Sequence, residues 1–326
     1  MRGGVWMWLV GLASAVVAVG GCDRSEARGG KAEAKAAAGE VRLVVLSPAL
    51  AETLRELGQG EKIVGRHGWD SFTPREVPAV GNEHGLDYEG ILKVRPTHVV
   101  VQAGARDTPA RLAELATQEG WTITRVALLT LDDVAASVGV LGGVSGAEAS
   151  RVAAVEQSFR GAFERRAELV GTDAGRVLVL AGVDPPSVMG PGSFHFEMVE
   201  RLGGDAIPDE GTPYIQWSVE DVIKADPDVL VLMLPGGEKQ SASAEPSANL
   251  GPLARAGLRC VENGAVVVVT DTKGHLPAVS LGAIAKQVGD GLVRVRGGVP
   301  RRNPRKAAPG NVGVPKRRRS RVRTTA

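Results

Sequence analysis

The sequence predicts an α/β protein of two similar three-layer lobes joined by one long backbone helix. Residues 88–101 and 219–232 align without a gap, and each stretch indicates a short helix, a proline turn and a buried strand of branched residues. Between them, residues 145–170 carry apolar side chains at helical spacing and contain no proline. The stretch 41–295 is long enough for two lobes of ordinary size. Chance similarity of two helix–strand units is the alternative interpretation.

The N-terminal segment 1–22 has the pattern of a lipoprotein signal peptide. Arg2 precedes an apolar run over 5–19, and a lipobox with the sequence V-G-G-C ends at Cys22. A membrane-spanning anchor is the alternative, but the run of about 15 residues is shorter than the roughly 20 that a spanning helix needs. We therefore expect lipidation at Cys22, a membrane-anchored chain and a periplasmic or other extracytoplasmic location.

Two further segments are predicted to lie outside the lobes. Residues 23–40 are rich in Ala, Gly, Lys and Glu and have no large apolar side chain, which is typical of a flexible tether. The tail 296–326 is predicted to be basic and disordered, because 12 Lys or Arg and no acidic residue occur from Arg294 onward. No nucleic-acid partner is expected for an exported chain. With Cys22 lipidated, Cys260 has no disulfide partner and is expected to be buried and inert.

The N-terminal lobe, 41–144, is predicted to begin with a short strand. Ser47 follows this strand and is expected to cap a helix over 49–57. A second strand over 63–66 leads into a loop with Trp69 at its tip. Loops after the strands of α/β lobes face the crevice where ligands bind, so Trp69 is a candidate for the pocket. The alternative is an indole that packs only on its own loop.

Residues 145–170 are predicted to form the connecting helix, as a single rod in which about 23 residues are helical over roughly 35 Å. Ser145 and Glu148 fit the S-x-x-E capping box. The apolar stripe that follows consists of Val152, Val155, Phe159 and Phe163. A rod of that length would span both lobes.

The C-terminal lobe, 171–295, has four candidate residues at the ends of elements that we expect to border a cleft between the lobes. A glycine- and proline-rich loop leads to Ser193 and to His195 in the first turn of the next helix. Asp271 and His275 follow the last predicted strand. An ordinary connection between a strand and a helix is the alternative for this last pair.

Several motifs together resemble a known family. They are L-S-P-A-L-A-E-T-L at 46–54, V-G-N-E at 80–83, L-D-Y-E-G-I-L at 86–92, R-P-T-H-V-V-V at 95–101, G-V-D-P-P at 182–186, G-P-G-S-F-H at 190–195 and W-S-V-E-D-V-I-K-A-D-P-D at 217–228. Their order and spacing resemble the class III ABC-transporter substrate-binding proteins, which have a helical backbone and bind cobalamin, ferric siderophores, haem or metal ions. The resemblance covers nearly all of 41–295. It implies a monomer of two α/β lobes joined by one rigid helix, with ligand in the cleft between the lobes.

The same resemblance implies that Glu89 and Glu220 dock onto arginines of a permease dimer. The internal repeat independently places these glutamates on equivalent helices of the two halves, as docking onto a two-fold symmetric partner requires. Two solvated surface glutamates are the alternative.

The resemblance to the cobalamin-binding members implies aromatic pocket walls at Trp69 and Tyr214. Other pocket positions hold Glu83, Gln102 or Ala103, and Ser187, which departs from the aromatic pattern of those members. The full set of candidate ligand contacts is Trp69, Glu83, His84, Ser193, His195, Tyr214, Asp271 and His275. Of these, His84, His195 and His275 are also candidate metal ligands, although no two histidines have close ligand spacing. Histidines scattered over surface turns are the alternative.

The sequence thus predicts a lipid-anchored receptor that captures a metal chelate and delivers it to an ABC permease. A corrinoid such as cobalamin is the first expected ligand and a ferric siderophore the second, and the protein itself needs no resident cofactor. A receptor for haem or a free transition metal, with the same fold, is the alternative. A secreted hydrolase using Ser193 or Ser47 is disfavoured, because the chain has no G-x-S-x-G elbow. No enzymatic activity is expected.

Overall fold

The computed structural model of the protein describes residues 39–82, 84–103, 108–169, 175–234 and 249–296. The predicted signal peptide with Cys22, the tether up to residue 38, Glu83 and the basic tail beyond Arg296 lie outside the described residues. The described residues from Val41 onward form one structural unit. Within the described part of the chain, no helix is both long and apolar enough to cross a membrane.

The first lobe is built on a four-stranded parallel sheet with the strand order β2-β1-β5-β6. Its elements are β1 Leu43–Val45, α1 Pro48–Glu56, β2 Ile63–Arg66, β3 Gly81–Asn82, β4 Gly85–Leu86, α2 Tyr88–Val94, β5 His98–Ala103, α3 Ala110–Glu119 and β6 Thr122–Ala127. Strands β3 and β4 form a small separate hairpin. Because the four sheet strands are parallel, their carboxyl ends share one edge, and the loops with candidate residues start there.

The second lobe is built on a mixed sheet with the order β10-β8-β7-β11-β12, and β9 also pairs with β7. Its elements are β7 Arg176–Val183, β8 Pro186–Met189, α6 Phe194–Leu202, β9 Asp205–Ile207, β10 Tyr214–Gln216, α7 Val219–Ala225, β11 Val229–Met233, α8 Arg259–Glu262, β12 Val266–Val269 and α9 Leu281–Arg296. Strands β8 and β10 run antiparallel to their neighbours. The glycine- and proline-rich loop that was predicted before Ser193 is therefore partly a strand, because residues 186–189 turn back and pair with β7.

The connecting helix is shorter than predicted. Two helices occupy the region, α4 Leu131–Ser145 and α5 Ala149–Ala162. Ser145 does not cap α5: its hydroxyl donates to the Leu141 carbonyl at 2.6 Å inside the last turn of α4. Gly146 then adopts a left-handed conformation with φ of 69° and ends α4, as glycine commonly does after a helix. The predictions of a single helix over 145–170 and of a capping box at its start were therefore wrong. Helix α5 has 14 residues and is about 21 Å long.

Helix α5 nevertheless packs with its predicted stripe between the two lobes, on α4 and on α9. Phe159 and Phe163 are buried and contact each other edge to face, with ring centroids 4.8 Å apart. The close approach of α4 and α5 depends on Gly142, where a Cβ atom would lie only 2.5 Å from a methyl carbon of Val152. The fold class predicted from the sequence is confirmed, although the boundaries of its central helix are not.

The internal repeat is confirmed in detail. Helices α2 and α7 have seven residues each. Each ends at a non-glycine residue in the left-handed region, Arg95 with φ of 46° and Asp226 with φ of 44°. A proline and a strand follow in both, with β11 buried throughout and β5 buried at Val99 and Val100. The left-handed conformation is uncommon for residues other than glycine, so its occurrence at equivalent positions indicates duplicated local structure and not chance.

Candidate functional site

Trp69 lies at the carboxyl edge of the first sheet, and its side chain is 67% exposed. The loop that carries it is fixed from both sides. The Arg66 guanidinium donates to the Val77 carbonyl at 2.9 Å, and the Gly68 amide donates to the Gly81 carbonyl at 2.7 Å. A side chain this exposed is not packed within its own loop. Trp69 is therefore a pre-positioned aromatic surface, as a pocket wall requires.

Tyr214 is the corresponding aromatic of the second lobe, 56% exposed on the outer strand β10. Its hydroxyl donates to the Ser187 hydroxyl oxygen at 2.9 Å. The Gln216 side-chain amide donates to the Pro186 carbonyl at 3.3 Å, and Gln216 is the register partner of Ser187. Tyr214 and Ser187 were named as pocket positions from the sequence, whereas Gln216 and the hydrogen bonds that join these three side chains were not. The two-residue spacing of Tyr214 and Gln216 along one strand face is the signal that could have found Gln216.

The first lobe has a further polar pair and an apolar residue at its strand ends. Ser47 was predicted to cap α1, but it makes no capping hydrogen bond and instead donates to the Gln102 carboxamide oxygen at 2.9 Å. This bond joins the carboxyl ends of β1 and β5. Leu129, 67% exposed, follows β6 at the same edge and was not predicted. Apolar and amide groups thus accompany Trp69 on this edge.

Ser193 and His195 are structural residues in α6. The Ser193 hydroxyl, predicted as a ligand contact, instead accepts from the Phe196 amide at 3.1 Å and caps the helix, and the side chain is buried. His195 is completely buried, and its Nε2 lies 2.7 Å from the Gly274 carbonyl oxygen. A carbonyl can only accept, so Nε2 carries the proton. Burial lowers the pKa of His195 to about 4, and the ring is neutral at physiological pH.

The loop after β12 brings His275 against His195, with ring centroids 5.1 Å apart. Burial also lowers the pKa of His275. Asp271 accepts from the Lys273 amide at 2.8 Å and shapes the turn. His195 and His275 therefore do come together in the second lobe, where His195 is completely buried and His275 and Asp271 are half-buried.

The three histidines that were candidate metal ligands do not assemble into a metal site. Among the described residues, no group of three or more His, Cys, Asp or Glu side chains is arranged to hold a metal ion. His84 is exposed in the turn of the β3–β4 hairpin, and Glu83 beside it lies outside the described residues. His195 directs its donating nitrogen to a backbone carbonyl. The candidate metal ligands His84, His195 and His275 do not form one site.

An ion pair between a buried carboxylate and a half-buried lysine joins the lobes at the loop after β12. Lys273 Nζ lies 3.2 Å from an oxygen of Glu52, which is only 2% exposed on α1. The ammonium group also lies 5.4 Å from the centre of the Phe72 ring. Burial, and to a smaller extent the charge of Glu56, raise the pKa of Glu52. The charge of Lys273 and a hydrogen bond from the Ser280 backbone act in the opposite direction, but the pKa remains raised. Sequence analysis missed this contact, although a glutamate inside the buried run of α1 is a visible signal.

A second contact between the halves lies at the start of α4. The Leu131 amide donates to a Glu197 carboxylate oxygen of α6 at 3.1 Å. Arg201 bridges the same carboxylate and Asp132, whose oxygen lies 3.1 Å from the guanidinium. The two lobes are thus held by polar contacts at two separate places, in addition to the packing of α5.

The helices α2 and α7 present Glu89 and Glu220 in their first turns, and both side chains are exposed. Within the described residues, neither carboxylate has an ion-pair or hydrogen-bond partner. The helix starts are capped alike: Asp87 accepts from the Gly90 amide, and Ser218 accepts from the Asp221 amide.

The ends of these helices are also capped alike, by arginines that sequence analysis missed. Arg42, just before β1, donates to the carbonyls of Val94 at 2.8 Å and Arg95 at 3.0 Å. Arg176, at the start of β7, donates to the Ala225 carbonyl at 2.6 Å. Cations suit the carbonyl-rich end of a helix. Each lobe therefore fixes its glutamate-bearing helix to its first strand by the same device.

Two surface grooves lie away from these residues. One, of about 310 Å³, runs between α1, α5 and α9 and is lined by Glu56, Arg151, Ala154, Val155, Ser158, Phe159, Ala162, Val279, Ser280, Gly282, Ala283 and Lys286. The other, of about 420 Å³, is lined by Arg55, Gly58, Gly60, Glu61, Ile63, Pro74 and Val77. Neither contains a predicted ligand residue.

Comparison with known proteins agrees with the architecture. The sequence model of the family described as "Periplasmic binding protein" matches residues 43–253. The curated "Cobalamin-binding protein" of two Halobacterium salinarum strains is 27% identical over 199 residues, covering 58% of this chain. The match spans 53% of that relative, about half of its length.

Solved structures with the same fold include haem and vitamin B12 receptors. The periplasmic heme-binding protein BhuT in complex with two hemes has a TM-score of 0.62 and 22% identity, covering 78% of this chain and 98% of BhuT. The periplasmic vitamin B12 binding protein BtuF of Vibrio cholerae has a TM-score of 0.60 and 22% identity, covering 78% of this chain and 97% of BtuF. At such identities these structures establish the two-lobe fold alone. Together with the sequence match over most of both lobes, they show that the chain belongs to the periplasmic binding protein family.

Proposed function

We propose that this protein is the lipid-anchored binding component of an ABC importer and that it captures a corrinoid such as cobalamin in the cleft between its lobes. One observation carries the proposal: Trp69 and Tyr214 are exposed aromatics, each on an anchored strand end of its own lobe. Two pre-positioned aromatic walls suit a broad, largely apolar ligand, because little ordering is needed on binding. A ferric siderophore is the second ligand class.

The state of the histidines supports a corrinoid over a bare metal ion. A corrinoid carries its cobalt within its own macrocycle, so the receptor needs no metal ligand. A bare transition metal needs several side-chain ligands at short range. His195 and His275 are instead packed together in the second lobe, and His195 is neutral and fully buried.

Polar groups beside the aromatics fit the edge of a corrin ring, which bears carboxamide groups. Gln102 in the first lobe and Gln216 with Ser187 in the second offer amide and hydroxyl groups at the strand ends. Such groups exchange hydrogen bonds with carboxamides without bringing charge into the cleft. The 27% identity to a cobalamin-binding protein also supports this ligand class.

Haem is the alternative to a corrinoid or a siderophore, and one observation favours it. The Tyr214 hydroxyl stands on an exposed ring, and tyrosine is among the side chains that ligate haem iron in proteins. Haem receptors are also among the proteins with this fold. In this case Tyr214 would bind the iron and not serve as an apolar wall.

A calorimetric titration of the chain from residue 23 onward distinguishes these ligands. The panel consists of cyanocobalamin, ferric siderophores, haemin and divalent transition metals. We expect one-to-one binding of cyanocobalamin and none of the bare metals. Haemin binding with a Soret band that is lost in Tyr214→Phe would move the assignment to haem, and no binding across the panel would refute the transport proposal.

We further propose that Glu89 and Glu220 dock onto basic residues of a permease dimer. Their exposure, their lack of partners within the described residues and the matched caps of their helices support this role. The variants Glu89→Gln and Glu220→Gln should abolish import in cells while leaving cyanocobalamin affinity unchanged. Normal import by the double variant would contradict the docking role.

A further inference from the structure

The two glutamate-bearing helices share a second exposed feature. Leu92 is 36% exposed and Ile223 is 44% exposed, although both are large and apolar. They occupy equivalent positions of the repeat, each three residues after its glutamate, so that glutamate and aliphatic side chain are neighbours on the helix surface.

Isolated exposed aliphatic residues are common and by themselves need no explanation. The duplication is what is informative. In each helix the preceding residue, Ile91 or Val222, is completely buried, so the helix already has its apolar anchor. The exposed Leu92 and Ile223 are therefore not required to attach the helices to their lobes.

The following residue is also duplicated: Lys93 and Lys224 are both exposed. The two surfaces thus share the order acid, aliphatic, base along one helix face. Two unrelated solvent-facing helices would not be expected to agree at all three positions.

The hydrogen bonds that attach these two helices to their sheets are also equivalent in the two lobes. The backbone amide of Arg42 donates to the Thr97 hydroxyl oxygen at 2.9 Å, and that of Arg176 donates to an Asp228 carboxylate oxygen at 3.0 Å. Together with the guanidinium caps on the helix ends, these bonds fix each helix to its sheet. A fixed helix loses little conformational entropy when it docks.

We propose that Leu92 and Ile223 are the apolar anchors of two equivalent docking patches, Glu89–Leu92 and Glu220–Ile223. The partner is a two-fold symmetric membrane protein that presents, twice, a basic group beside an apolar depression. The charge of Glu89 and Glu220 selects the basic group, and the pair of aliphatic side chains requires the depression. This inference rests on the proposed role as the binding component of an importer.

Site-specific photo-crosslinking in cells that produce the full chain tests the proposal. The photoreactive residue p-benzoylphenylalanine replaces Leu92, Ile223, Glu89, Glu220 or, as a control, Val140. Val140 matches Ile223 in exposure, at 44%, but lies on α4. We expect crosslinks from positions 92 and 223 to the same peptide of one multi-spanning membrane protein, at least tenfold above the signal from position 140.

The outcomes separate this inference from the proposed function. Crosslinks from positions 89 and 220 but not from 92 and 223 would leave docking by the glutamates intact and overturn the aliphatic anchors. No crosslink from any of these four positions would overturn both. Crosslinks from 92 and 223 to different proteins, or equally from 140, would also refute the two-fold patch.

Discussion

Removing the ammonium group of Lys273 tests the ion pair between the lobes. In Lys273→Met, the Glu52 carboxylate, 2% exposed, loses its counter-charge while remaining out of water. A buried charge left unpaired is strongly destabilising. The carboxylate can escape part of this cost by binding a proton, and that escape limits the effect.

The limit follows from the pH. Protonating a carboxylate of ordinary pKa 4.5 at pH 7 costs about 3 kcal/mol, at 1.36 kcal/mol per pH unit. The variant should therefore lose up to about 3 kcal/mol at pH 7. At pH 5 the same limit is under about 1 kcal/mol, so most of the loss should disappear. The sign agrees with linkage: a carboxyl group whose pKa is raised in the folded state stabilises below its unfolded pKa and loses that contribution as the pH rises through the folded value.

Urea denaturation of the chain from residue 23 onward, at pH 7 and pH 5, measures the effect as the difference between variant and parent. Lys224→Met is the matched control, because Lys224 is exposed and lies 4.0 Å from Asp221, and it should change stability by less than about 0.5 kcal/mol. The double variant Glu52→Gln/Lys273→Met should recover most of the loss. A loss that is equal at both pH values, or no loss at pH 7, would refute the reasoning.

Three further predictions concern the scaffold. Because the pKa of His195 is lowered to about 4, the parent chain should lose about 3 kcal/mol of unfolding free energy as the pH falls from 6.5 to 4. In urea denaturation at several pH values, the variant His195→Asn should lose less stability over this range. An equal loss in variant and parent would contradict the prediction. Gly142→Val should overlap Val152 and cost about 1–3 kcal/mol, whereas an unchanged thermal midpoint would show that α4 and α5 can separate freely. Arg42→Ala and Arg176→Ala should each cost about 1–2 kcal/mol, and a clear inequality between them in urea denaturation would argue against equivalent helix caps.

The duplicated architecture could be predicted from the sequence because both copies of the repeat contain the same turn signal. Pro96 and Pro227 each end a short helix and precede a run of branched residues, and these features are local. The strand 63–66 was predicted at its observed bounds for the same reason. Cys260 is buried, as expected, and burial raises the pKa of its thiol to about 11.

The central helix was misplaced because serine has two common roles at helix ends. A hydroxyl can cap the next helix or donate to a carbonyl of the preceding turn, and Ser145 does the latter. Gly146 was the deciding signal, since glycine is favoured just after a helix. Strand β8 was missed because its pairing with β7 is a tertiary contact, which a four-residue segment does not specify.

The candidate site was predicted only in part. Trp69 and Tyr214 are exposed at strand ends of opposite lobes, whereas Ser193 caps α6 and His195 bonds to the Gly274 carbonyl. His195 could have been recognised as a core residue, because it belongs to the helical stripe that continues with Met198, Val199 and Leu202, all buried. Contacts between distant segments, such as Glu52 with Lys273, have no periodic signal and need the fold.

Capture of a corrinoid between Trp69 and Tyr214 is tested most directly by titrating cyanocobalamin into the parent chain, the double variant Trp69→Ala/Tyr214→Ala and the exposed control Val140→Ala. Each aromatic wall is worth about 0.5–1.5 kcal/mol beyond the apolar area that it buries, so the double variant should bind roughly 5- to 150-fold more weakly. The control should bind like the parent, with one site per chain. Equal affinity for parent and double variant would contradict capture between these two aromatic walls.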